Sequence, residues 1–81
     1  MKLGIYAIRD AKTSFMSCTV DYNDESAKRN FAHAVMQADS LMASHPGDYD
    51  LYKLGEYDNE TGEIFPATPI ISLIGASSVR K

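Results

Sequence analysis

The chain has 81 residues and a mass of 8.9 kDa, and 44% hydrophobic with 23% charged residues is the composition of one globular domain rather than of a disordered chain. No apolar run approaches the roughly 20 residues that span a bilayer, and Met1-Lys2-Leu3-Gly4 has no long apolar stretch behind it to act as a secretory signal. The net charge of −3 is polarised, with +2 over residues 1–20, −2 over 21–45, −5 over 46–66 and +2 over 67–81, which disfavours a wholly basic nucleic-acid binder but leaves a local basic face at the N-terminal end.

Leu3, Ile5 and Ala7 alternate with Lys2, Gly4 and Tyr6, the two-residue period of a half-buried strand, and Ile8 extends it to about Arg9. Asp10-Ala11-Lys12-Thr13 reads as a turn, and Ser14 to Asp21 regains strand composition, so the first two strands are expected as a hairpin. Asn23 followed by Asp24 and Glu25 is a helix start, because the asparagine oxygen can accept from a free amide and acids favour the positive end of the helix dipole. Ala27, Phe31, Ala34, Val35, Ala38, Leu41 and Met42 recur at spacings of three and four. They predict one helix over about 24–44 that ends at Ser44-His45-Pro46-Gly47 and buries Phe31, Val35, Ala38 and Met42.

Tyr49 to Tyr57 predicts a third strand, Asp58-Asn59-Glu60-Thr61-Gly62 a hairpin turn, and Glu63-Ile64-Phe65 a return strand that Pro66 ends or pushes to a sheet edge. Pro69 to Ile74 is either a fifth strand or an arm that packs on another subunit. The expected fold is therefore α+β, an antiparallel sheet of four or five strands in ββαββ order with one helix on one face. Residues 1–75 form the single domain and 76–81 a flexible tail. One helix covers one face, so the other face is polar or meets a partner, and a homo-oligomer is expected.

Motifs for chemistry are sparse. His33 and His45 are read as surface or boundary residues, with no nucleophile in a recognisable pattern beside them. Cys18, in a predicted strand with apolar neighbours such as Met16 and Val20, reads as a buried structural thiol, in keeping with a reducing compartment. The acids around Asp48, Asp50, Asp58 and Glu60 lack the spacing of a calcium loop, and there is no glycine-rich phosphate loop. No catalytic residue, metal site or cofactor is expected.

Aromatic residues carry more information. Tyr6 and Phe15 fall on the two N-terminal strands near Lys2, Arg9 and Lys12, and rings beside cations are what single-stranded nucleic acid requires, by stacking and by phosphate contact. Lys28 and Arg29 at the helix start could extend such a groove, and Arg80 and Lys81 could add a basic arm. A competing surface is the acidic hairpin of Asp48, Asp50, Glu56, Asp58 and Glu60 with Tyr49, Tyr52 and Tyr57, which would repel DNA and suit a protein partner.

Met1-Lys2-Leu3 with Ala7-Ile8-Arg9-Asp10, Arg29-Asn30-Phe31 with Ala34-Val35, and above all His45-Pro46-Gly47-Asp48-Tyr49-Asp50-Leu51-Tyr52-Lys53-Leu54-Gly55 make the chain similar to a known family. Together with Tyr57 to Glu63, these residues resemble the small non-structural protein of gokushovirus-type microviruses over residues 1–65. The chain departs from that pattern at Gly47, often acidic in the family, and at Ser17-Cys18, where a Pro-Phe pair is frequent. The resemblance implies a small phage protein of the bacterial cytoplasm, absent from the capsid, from a phage with a circular single-stranded DNA genome. It also implies DNA binding or a part in the switch toward single-stranded genome synthesis. The expected function is thus a non-enzymatic accessory protein of phage DNA replication that binds single-stranded DNA in the host cytoplasm. The alternative is an adaptor that contacts the replication initiator, the procapsid or a host factor.

Overall fold

The computed structural model describes residues 1–37 and 39–79. Among them the elements run β1 (Lys2–Asp10), β2 (Thr19–Asp21), α1 (Asp24–Val35), α2 (Leu41–Ser44), a 3-10 turn (Pro46–Asp48), β3 (Tyr49–Asp58), β4 (Ile64–Gly75) and α3 (Ala76–Val79). The four strands form one antiparallel sheet in the order β2-β1-β3-β4, with α1 between the second and third strands in sequence. This is the expected α+β arrangement in its four-stranded form.

The helix begins where the sequence signals it: the Asn23 side chain accepts from the Ser26 amide at 2.8 Å, and Asp24 and Glu25 occupy the first turn. Ala27, Phe31 and Val35, four residues apart, are its buried positions. It stops nine residues short of the expected end. Ser40 starts a second helix by accepting from the Ala43 amide at 3.0 Å, so a capping serine inside the apolar stripe competes with continued helix. The break redirects the stripe: Met42 packs against the core while Leu41 is 66% exposed. Ala38 lies outside the described residues.

The second strand is shorter than expected for a reason of register. Phe15 bridges Arg9, but Thr19 pairs with Tyr6, so four steps on one chain must match three on the other. The ladder therefore breaks at Ser17-Cys18, and Cys18 is exposed in a loop instead of buried in a strand. The return strand and the possible fifth strand are one element, β4. It lies at the sheet edge, where proline is tolerated, and Pro69 falls outside the paired positions. Gly55 pairs with Pro66 and Lys53 with Ile71, so residues 67–70 leave the ladder against the single Leu54. Residues 76–79, expected within a tail, form the short helix α3, whose Ala76 is fully buried. Arg80 and Lys81 lie outside the described residues.

Tyr6, Ala27, Phe31, Val35, Tyr49, Leu51 and Ala76 form the core, with Ile8, Met42, Leu73, Ile74 and Val79 packed around it. All of it lies on one side of the sheet. The cross-strand rows Tyr6–Lys53–Ile71 and Ile8–Leu51–Ile74 face the helices. The alternate rows Leu3–Tyr57–Ile64, Ala7–Tyr52–Ser72 and Arg9–Asp50–Gly75 therefore face away from them. Leu54 and Gly55 together oppose Ile5, a bulge that keeps this alternation in phase on both sides of it.

Candidate nucleic-acid interface

The helix-free face gathers Arg9, Phe15 and Tyr52. The Phe15 bridge to Arg9 sets its ring on this face, and Tyr52, opposite Ala7, meets it edge to face with centroids 5.4 Å apart at 77°. Between the rings Ala7 is only 2% exposed, although no helix covers it, whereas Phe15 keeps 41% of its surface open. Lys12 is exposed in the adjoining turn, which Asp10 builds: its side chain accepts from the Lys12 amide at 2.9 Å and its carbonyl from Thr13 at 3.1 Å. The outcome is a ring pair beside two cations at one end of an open sheet face.

The other expected site residues are elsewhere. Tyr6 is a correction: its ring is 1% exposed on the helix side and offers no face to a base. Its hydroxyl donates to Asp24 Oδ1 at 2.7 Å, tying the central strand to the first turn of α1. Burial, and then this bond to a carboxylate, raise the Tyr6 pKa, and the same bond with Lys53 at 3.2 Å holds Asp24 below the usual carboxylate range. Gly4 makes the arrangement possible, because a β-carbon there would collide with the Tyr6 ring. Lys2 also faces the helix side, its Nζ 4.7 Å above the Phe65 ring. Lys28 is 3.5 Å from Glu25 on α1, and Arg29 is exposed on the same helix, in the other layer from Arg9 and Phe15. Of the seven expected residues only Arg9, Lys12 and Phe15 come together.

The acidic hairpin does not form one surface either. Tyr49 is 6% exposed in the core, Asp50 is on the open face, and Glu56 is on the helix side, 3.9 Å from Lys53. Asp58 accepts from the Glu60 amide at 2.9 Å, which with the N-terminal amine 3.8 Å away holds its carboxyl below the usual range. Tyr52, grouped in the sequence reading with the acidic hairpin alone, also meets Phe15 across the sheet. Alternation could have found it, since Leu51 is a core residue and its neighbour must point the other way. Among the described residues no group of His, Cys, Asp and Glu is placed to hold a metal ion, and no helix is long and apolar enough to cross a membrane.

The fold and this face define a small α+β protein with a two-layer core and an open, ring-bearing sheet. Residues 3–79 match the model of the Phage ORF5 protein family, and the chain belongs to that bacteriophage family. No curated protein and no solved structure matches it.

Proposed function

We propose that this phage protein is a non-enzymatic accessory of DNA replication that binds single-stranded DNA on its open sheet face, as its resemblance to the gokushovirus non-structural protein implies. The observation that carries the reading is the Phe15–Tyr52 ring pair on a helix-free antiparallel sheet, with Arg9 on the same face and Lys12 in the next turn. Sheet-borne rings stack unpaired bases without reading their sequence, and adjacent cations hold the phosphates. The host cytoplasm, where such a genome is copied, is the place this function assigns to the protein.

Fluorescence anisotropy with labelled single strands over a range of salt tests it. Replacing Arg9 and Lys12 by alanine weakens binding evenly across sequences and flattens the slope of log affinity against log salt by about 0.7 for each lost phosphate contact. Phe15→Ala costs ~1–3 kcal/mol with little change of slope. Absence of binding at low salt, or wild-type affinity in both variants, defeats the proposal.

A further inference from the structure

An antiparallel sheet with one face in water is expected to alternate apolar-in and polar-out. This sheet does not. Away from the Arg9–Asp50 row, its helix-free face carries Leu3, Ile5, Val20, Tyr52, Tyr57 and Ile64 and, among the described residues, no charged residue on its strands, and Val20 and Ile64 are 51% and 64% exposed. The β4 edge is a poor alternative contact, because two prolines and two register shifts interrupt it, which is how natural edges avoid pairing.

We propose that this face is covered by a second copy of the same chain, sheet against sheet, about a twofold axis running along the strands between β1 and β3. The strand order singles out that axis. It sets β1 of each copy over β3 of the other and β2 over β4, so Leu3 and Ile5 meet Tyr57 and Leu54, and Val20 lies over the Ile64 end of β4. The charges then match as well. Arg9 and Asp50 are direct cross-strand neighbours that form no ion pair within the chain among the described residues, and this axis places each Arg9 against the Asp50 of the other copy. An axis across the strands would instead set the two charged ends apart over apolar surface. Aligned sheet packing of this kind is a stable solution, with faces about 10 Å apart.

The area suits a modest affinity. With strands about 4.8 Å apart, β1, β3 and β4 paired over about seven residues and β2 only three residues long, the footprint stays below roughly 20 by 23 Å, at the small end of specific interfaces. Dissociation in the micromolar range follows. The face also holds Phe15 and Tyr52, so a DNA strand and a second copy exclude one another; that consequence alone rests on the proposed function.

The test is analytical ultracentrifugation of the full chain without DNA, from about 1 to several hundred micromolar. The wild type should reach twice 8.9 kDa. Arg9→Asp sets two pairs of carboxylates face to face and Asp50→Arg two pairs of cations, so each variant alone should be monomeric. An equimolar mixture should recover a dimer with one copy of each, because both contacts are then Asp against Arg. Val20→Glu, at an exposed position, should also yield a monomer with unchanged circular dichroism. A monomeric wild type, charge variants that still dimerise, or two folded variants that fail to dimerise on mixing would each overturn the proposal. A dimer that survives intact while no species binds DNA would remove the proposed function and leave this inference standing.

Discussion

Replacing Tyr6 by phenylalanine removes one oxygen atom and leaves the packing of a ring that is 1% exposed. What is lost is the 2.7 Å hydrogen bond to Asp24, which joins the central strand to the first turn of α1. A bond to a charged group is worth about 1.5–3 kcal/mol. Asp24 is 40% exposed and keeps Lys53 at 3.2 Å, so water and the lysine replace part of the loss, and the expected cost is ~1.5 kcal/mol. For a domain of this size that lowers Tm by roughly 6–12 °C. The dependence on pH identifies the source. Asp24 has a lower pKa in the folded protein than in the unfolded chain, so its contribution is complete above the unfolded value of about 3.9 and is lost as pH falls through the folded value. Tyr6 has a raised folded pKa, so its contribution is complete below about 10 and is lost as pH rises toward the folded value. The gap between wild type and Tyr6→Phe, read from urea midpoints, should therefore be widest between about pH 4 and pH 10 and shrink on both sides. Equal midpoints at pH 7, or a gap indifferent to pH, would refute the assignment. DNA affinity at full folding should not change, which separates this tyrosine from the open-face rings.

Phe31→Ala should cost ~3–5 kcal/mol in a denaturant titration, because the ring is 3% exposed at the centre of the α1 contact. Gly55→Ala should lower the thermal midpoint, since a β-carbon there would stand 2.5 Å from the Phe65 carbonyl oxygen and force β3 and β4 apart. Gly47→Ala, where the same atom meets nothing within 4 Å, is the matched control and should be nearly neutral.

The α+β fold was legible because two periodicities decide it. The alternation of Leu3, Ile5 and Ala7 and the four-residue spacing of Ala27, Phe31 and Val35 both come from burial against a single core, and local sequence records burial well. The errors fall where a second local signal competes with the period. Ser40 is a helix cap within an apolar stripe, and Pro66 and Pro69 divide in the sequence what is a single edge strand in the structure. The extra residue between Phe15 and Thr19 leaves no trace in composition, since a register is a property of two strands together.

Strand alternation is also why the candidate site was only half readable. Proximity along the chain joined Lys2, Tyr6, Arg9 and Phe15, yet an even step along β1 keeps a residue on one face and an odd step sends it to the other. Lys2 and Tyr6 are four apart and share the helix side, while Arg9, three beyond Tyr6, crosses to the open side. Phe15 joins Arg9 through a cross-strand bridge, and Tyr52 joins both through the β1–β3 register, forty-three positions from Arg9 in the sequence. The sheet sorts charge in the same way. It sends Glu56 and Asp58 to the side of Lys2 and Lys53 and leaves Arg9 and Asp50 as the one oppositely charged row on a face otherwise uncharged along its strands. On the two proposals, a face that brings its cation, its rings and its apolar surface together would hold a polyanion by one end or its own copy by the whole. Of these two uses, only DNA binding would weaken through counterion release as salt rises, and only self-association would double the mass of the chain without DNA.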